Sequence, residues 1–250
     1  LSRLGFAPGL ALNHDGKYQG YLQTVREQGG MSGPPLDTAG LRRALVSFDG
    51  SPIWRDLDVL DRWWRARQQL DAPRTATFYN TITLHDGNRS LKANGSSEPA
   101  EYQPRAQALL DDLTTFIAQL ERSGRPVLVV IAPEHGAALH GDRLQMAGLR
   151  EIPSPDITHV PVLVKLVGAK SAPAAPLHVS QPASYLALSE LVARLADGRA
   201  FAAPDFDWQA LVRDLPQTAQ VSDTQDAVVV RYQGAPFIRL RGAEWLPYPR

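Results

Sequence analysis

The 250 residues carry 26 Lys+Arg against 26 Asp+Glu, are 44% hydrophobic and 8% aromatic, and include no cysteine. A formal charge of zero argues against a general nucleic-acid or anionic-membrane binder, which needs a basic excess to neutralise phosphates. Without cysteine there is no disulfide framework, thiol nucleophile or thiolate metal site, and the length leaves room for one large α/β domain or two small ones with a real core.

The chain opens Leu1-Ser2-Arg3-Leu4-Gly5-Phe6, without an initiator Met or the charged and apolar regions of a signal peptide, and is read as a piece of a longer protein. Short apolar or period-2 runs bounded by turn residues predict strands over 44–48, 77–84, 127–131 and 162–167. Between them, apolar residues recur at helical spacing over 56–70, through Leu57, Leu60, Trp63 or Trp64 and Leu70. The segment 101–122 has a longer stripe from Tyr102 to Leu120, with Gly124 as its stop, and 183–196 has another, with Gly198 beyond it. Strands alternating with helices favour a central, largely parallel sheet flanked by helices. Two β-type runs, 227–232 and 237–240, surround Gln233-Gly234-Ala235-Pro236 and read as a hairpin at a sheet edge. The longest apolar run, from Val127 to Ala132, is far short of the roughly 20 residues that span a bilayer. Residues 89–99 read as a polar loop, 171–176 as a connection, and no repeat or domain boundary divides the chain, so a single domain over 1–250 is expected.

In an open parallel sheet ligands bind beyond the carboxyl ends of the strands, and two polar clusters fall there. Pro133-Glu134-His135-Gly136 follows the most apolar strand; it is either a solvated turn or a pair of metal donors, since carboxylate oxygen and imidazole nitrogen both suit Zn²⁺. Leu84-His85-Asp86-Gly87-Asn88 is an Asp-Gly turn whose histidine is either incidental or a donor to a phosphoryl oxygen and proton carrier. His14, in a second His-Asp-Gly, is a turn residue or a neighbour of the site. Arg150 either pairs with an acid such as Glu151 or holds a phosphate through its planar fork. His140, His159 and His178 read as ordinary surface or packing histidines, and Trp54, Trp63 and Trp64 as core. Ser51, with Pro52 behind it, reads as the start of the next helix. There is no Gly-x-Ser-x-Gly elbow, Walker loop, Gly-x-Gly-x-x-Gly or His-Glu-x-x-His, so nucleotide-dependent and serine-hydrolase chemistry lose their usual signals.

Taken in order, Asn-Thr-Ile-Thr-Leu-His-Asp-Gly-Asn at 80–88, Pro-Glu-His-Gly at 133–136, Gly-Asp-Arg at 141–143, Gly-Leu-Arg-Glu-Ile-Pro-Ser-Pro at 148–155 and the strand at 160–165 resemble the cellulose-biosynthesis phosphoethanolamine transferases of bacterial cellulose operons. Segments at 3–6, 48–52, 215–219 and 244–249 match as well, so the resemblance covers the chain. It implies an alkaline-phosphatase/sulfatase-like α/β fold in the periplasmic, catalytic portion of an inner-membrane protein that moves phosphoethanolamine from phosphatidylethanolamine to the glucose 6-hydroxyl of cellulose. It further implies Glu134 and His135 as zinc ligands, His85 at the transferred phosphoryl group or in proton transfer, and Arg150 as a phosphate contact. Glu-His-Gly stands where related sulfatase-fold enzymes carry Asp-His-Gly, which favours the cellulose branch over lipid A transferases. In the family the serine nucleophile, a further metal ligand and the membrane helices precede the segment matching residue 1. The chain is therefore expected to hold part of a site, to be inactive alone and to bind zinc weakly. A metal-dependent phosphodiesterase or sulfatase-like hydrolase, and a structural role docking onto the cellulose-synthase complex, are the alternatives.

Overall fold

A computed structural model describes all residues except 18–19, 32, 92–97, 142–144, 182, 219 and 249–250, and omits the side chains of 98–99 and 220–222. Much of the expected 89–99 loop, Asp142 and Arg143 of the Gly-Asp-Arg motif, Ala219 and Pro249 thus lie outside the described residues. The chain forms two compact units, Leu1–Ser123 and Gly124–Arg250. Among the described residues no helix is long and apolar enough to cross a membrane.

In the first unit a 3-10 turn, Ser2–Leu4, leads into β1 (Ala7–Leu12), α1 (Tyr21–Gly29), β2 (Arg43–Val46), β3 (Pro52–Trp54), α2 (Asp56–Gln69), β4 (Thr75–Asn80), β5 (Arg89–Ser90) and α3 (Glu98–Arg122). β1 and β4 pair in parallel, Ala7 opposite Thr75 through Leu12 opposite Asn80. The antiparallel order β3-β2-β5 makes a second small sheet. Leu10 to Leu12, Ile53, Val59, Leu60, Leu109, Phe116 and Leu120 are buried. Trp63 is half-buried: the indole N–H donates to Thr77 Oγ1 at 2.9 Å and the ring meets the buried Phe116 edge-on.

Two expectations are corrected here. Ser51 does not start a helix: its N–H and hydroxyl both donate to Asp49 Oδ1, and Pro52 instead begins β3, where a missing N–H does no harm. Helix α2 starts later because Asp112 of α3 accepts the Leu57 N–H and grips Arg55 with both oxygens, capping the helix from outside its own sequence. The strand expected to reach residue 84 stops at Asn80, although the Thr-Ile-Thr-Leu alternation continues. The Ile82 N–H goes to the Asn13 side chain and the Thr83 N–H to Thr81 Oγ1, so the backbone leaves the ladder.

The second unit contains β6 (Val127–Ile131), α4 (Pro155–Thr158), β7 (Leu163–Val167), α5 (Tyr185–Leu195), α6 (Arg199–Ala202), α7 (Trp208–Val212), β8 (Gln220–Asp223), β9 (Ala227–Tyr232), β10 (Ala235–Leu240) and β11 (Leu246–Pro247). β6 and β7 are antiparallel, Val127 opposite Val167 and Ile131 opposite Leu163, which corrects the parallel relation expected of them. A parallel return needs a crossover back to the starting end of β6. Among the described residues of 132–162 the one helical element is the one-turn α4, and β7 begins where β6 finishes. One face of this pair, through Leu128, Val164 and Leu166, packs on Leu195, Ala200 and Leu211. β6 is half-buried rather than buried, with Val130 exposed.

The C-terminal hairpin forms, but as the two inner strands of the order β11-β10-β9-β8 rather than at an edge. Its turn is the two residues Gln233 and Gly234, both with positive φ, 48° and 81°, as a type I′ turn requires. Val229, Ile238 and Tyr248 form its core. The molecule is mixed α/β, with parallel pairing at β1 and β4.

Candidate functional site

The Glu134 and His135 side chains sit in the connection that leaves β6 and re-enters at β7, so everything on that connection starts and finishes at one end of the strand pair. The turn is closed by backbone. The Gly136 N–H donates to the Ile157 carbonyl of α4 at 2.7 Å. A Cβ at residue 136 would lie 1.8 Å from the Asp156 carbonyl oxygen, so only glycine permits this approach. On the other side of the pair, the Tyr185 hydroxyl at the start of α5 donates to the Pro133 carbonyl. Glu134 and His135 are themselves exposed.

His135 Nδ1 lies 2.8 Å from the Gly136 carbonyl, which can only accept, so Nδ1 is the donor there and Nε2 is left as the ring's acceptor. Arg150 brings a guanidinium N–H to that nitrogen at 2.9 Å. Its backbone is held by two clamps. Gly148 N–H donates to the Ala138 carbonyl at 2.8 Å, and Gln145 exchanges two hydrogen bonds with the main chain of Ile152. His135 is a partner that the sequence reading of Arg150, an acid such as Glu151 or a phosphate, did not name. The Tyr185 phenol is held above its ordinary pKa, chiefly by burial and then by the Glu134 charge.

His85 belongs to the first unit, in the turn after β4. Its N–H donates to the Ile82 carbonyl at 2.9 Å, and its Nδ1 donates to the Asp86 carbonyl at 2.8 Å, again leaving Nε2 with the lone pair. Phe48 stacks on the ring with centroids 5.0 Å apart. Beneath it lies a buried polar support. Arg105 of α3 donates to the carbonyls of His85 and Asn88 at 3.1 and 2.9 Å, while Asn88 holds the Ile82 carbonyl and the Phe48 N–H. Further in, Asn13 donates to Asp56, Thr81 and Thr83, and Asp56 also accepts from Tyr79 and Thr83. Burial raises the Asp56 pKa above the usual carboxylate value.

His14 resolves as a core histidine. Its Nδ1 accepts the Gly16 N–H, which fixes Nε2–H as the donor to Asn80 Oδ1 at 2.8 Å, and burial lowers its pKa from 6.5. Sequence reasoning did not single out Asn88, Arg105, Gln145 or Tyr185 as supports. Arg105 and Asp112 had a readable signal, since both lie on the buried stripe of α3 with Leu109, Phe116 and Leu120, where an ion needs a partner.

A metal-binding imidazole characteristically gives its other N–H to a carbonyl, and His135 does so. Glu134 supplies an adjacent exposed carboxylate that no described hydrogen bond or ion pair holds, so this donor pair fits a borderline cation such as zinc. Among the described residues no group of three His, Asp or Glu gathers.

A family model described as the cellulose biosynthesis protein BcsG C-terminal domain matches residues 1–245. The cellulose biosynthesis protein BcsG of Salmonella typhimurium is 49% identical over 251 aligned positions, covering 100% of this chain and 44% of that protein. The protein of the same name from Escherichia coli is 49% identical over the same coverage. The chain thus spans less than half the length of the relatives it matches.

Proposed function

The chain belongs to the family of the cellulose biosynthesis protein BcsG C-terminal domain, and from that premise we propose that it is part of a zinc-dependent phosphoethanolamine transferase modifying cellulose. In this reading Glu134 and His135 hold the metal, and the remaining donors and the serine nucleophile belong to the rest of the longer protein. The donor is phosphatidylethanolamine and the acceptor is the glucose 6-hydroxyl. The fold is of the alkaline-phosphatase/sulfatase type, facing the periplasm from an inner-membrane anchor beside the cellulose-synthase complex.

The observation that carries the proposal is the contact of His135 Nδ1 with the Gly136 carbonyl: with Nδ1–H given to that carbonyl, Nε2, which accepts from Arg150 here, is the ring nitrogen that a metal would take once Arg150 turns aside. Bound there, zinc supplies Lewis-acid neutralisation of phosphoryl oxygens and lowers the pKa of a coordinated hydroxyl. Arg150 then has the chemistry of a phosphate clamp, because its fork stands beside that nitrogen and can give two parallel N–H donors to one phosphoryl group. His85 accepts or returns a proton at Nε2, since Nδ1 is committed to Asp86 and Phe48 fixes the ring plane. The sequence of events is covalent: phosphoethanolamine passes to the serine with diacylglycerol leaving, then to the sugar hydroxyl with the serine restored.

The test measures metal content and transfer in one preparation of the full-length protein beside its Glu134→Ala and His135→Ala variants. About one zinc is expected in the wild type, and both variants lose zinc and transfer while their metal-free forms unfold within ~0.5 kcal/mol of metal-free wild type, since both side chains are exposed. Retained zinc and transfer in the variants overturn the proposal. Release of free phosphoethanolamine at the same rate with and without glucan points instead to a hydrolase.

A further inference from the structure

Glu134 and His135 are exposed, and the side-chain bonds of His135, to the Gly136 carbonyl and to Arg150, stay within the 132–162 connection. What fixes the backbone carrying the pair is one anchor on each side. After the pair, the Gly136 N–H is bonded to Ile157; before it, the Pro133 carbonyl accepts the Tyr185 hydroxyl across 52 residues of sequence. Pro133 has no N–H of its own, so its carbonyl is the main-chain hydrogen-bonding group available at that position.

Tyr185 is an unusual residue for that duty. It is the first residue of α5 and 47% exposed, so the core asks little of its ring. Its aim is set by the cap of the helix. Ser184 Oγ accepts the Leu186 N–H at 3.3 Å and also the Thr218 hydroxyl at 2.7 Å. Thr218 comes from the Leu-Pro-Gln-Thr segment, one of the motifs that no site role had absorbed. A line of contacts therefore runs from Thr218 through Ser184 and Tyr185 to Pro133, ending on the residue before Glu134.

We propose that Tyr185 is a positioning residue for the Glu134 and His135 pair, locked by Ser184 and Thr218, and that its hydroxyl holds the loop in the arrangement that presents both donors on one side. This rests on the reading of that pair as metal ligands. Only the main-chain anchor is at stake, so the ring can be kept while the hydroxyl is removed.

The experiment compares full-length wild type with Tyr185→Phe and Thr218→Val by three readouts: hydrogen exchange of the Gly136 amide in metal-free protein, the zinc dissociation constant by chelator competition, and the kcat and KM of transfer. Tyr185→Phe is expected to exchange the Gly136 amide about 10-fold faster and to bind zinc about 10-fold more weakly, the usual cost of losing an outer support of a metal site. It lowers kcat with KM unchanged and leaves the unfolding temperature where it was. Thr218→Val moves each value in the same direction by roughly a third of that factor on a logarithmic scale, as a lock one residue removed. Exchange and zinc affinity both within two-fold of wild type in Tyr185→Phe overturn the brace. Wild-type protein that binds no zinc overturns the metal reading instead, and the exchange rates still decide whether Tyr185 holds the loop.

Discussion

The 85–88 turn and the 133–136 loop each come after a strand, each place a glycine within two residues of a histidine, and each commit Nδ1–H to the next residue's carbonyl, at 2.8 Å in both. Their supports are opposite in kind. His85 stands on buried polar side chains, with Asn13 and Asn88 at 0% exposure and Arg105 at 4%. His135 stands on a backbone closure and an exposed tyrosine. A turn built on buried amides is coupled to the stability of its unit, because a vacated buried hydrogen bond costs its full desolvation. A loop built on close backbone approach can be displaced without unfolding what lies around it. In the proposed function the first design would keep a proton-transferring imidazole at a fixed place, and the second would leave the metal donors on a main-chain support.

The contrast breaks first at Asn88. Asn88→Ala strands the Ile82 carbonyl and the Phe48 N–H, and the expected loss is about 3 kcal/mol for two part-buried main-chain groups left unpaired and the space vacated by a fully buried amide. Denaturant unfolding checks it; a loss near that of an exposed site would mean that the turn holds itself. Gly136→Ala comes next. The Asp156 carbonyl must give way, so about 2 kcal/mol is expected, with transfer falling about 100-fold because the donor pair moves. The test of the contrast is that ratio, since Asn88→Ala should lose more stability per unit of lost activity than Gly136→Ala.

The smallest effect concerns pH. The folded pKa of His14 lies below its ordinary 6.5 through burial, so the unfolded chain takes up the proton first. Its contribution is complete above pH 6.5 and is lost as pH falls from there through the folded value. Thermal unfolding at about pH 7.5 and 5.5 should show a steeper fall for wild type than for His14→Gln, by roughly 2 °C. Equal slopes would place the acid sensitivity elsewhere.

Much of this architecture could be read from the chain. The ends of β6 and β9 fall where the apolar runs stop, at Val127, Ile131, Ala227 and Tyr232, because turn residues bound both runs. β1 was passed over: Ala-Pro-Gly-Leu-Ala-Leu carries two residues unfavourable to strands, and it is ordered by parallel pairing to β4, which a local pattern cannot contain. The end of β4 was misjudged for the same reason, since Asn13 intercepts the ladder from 69 residues away. At the candidate site the residue types were legible in Pro-Glu-His-Gly and Gly-Leu-Arg. That Arg150 meets His135, and that Tyr185 meets Pro133, depends on how the 132–162 connection folds back.

The antiparallel pairing of β6 with β7 gives that connection an independence that a crossover would not have. Ile131 and Leu163 are paired partners, so the two mouths of the segment are about 5 Å apart whatever lies between them. Lengthening such an excursion costs only about 0.6 kcal/mol per doubling, and strand register does not have to change. The five paired positions act as a socket, from which the connection can lengthen or shorten between its anchored points without a change of strand register.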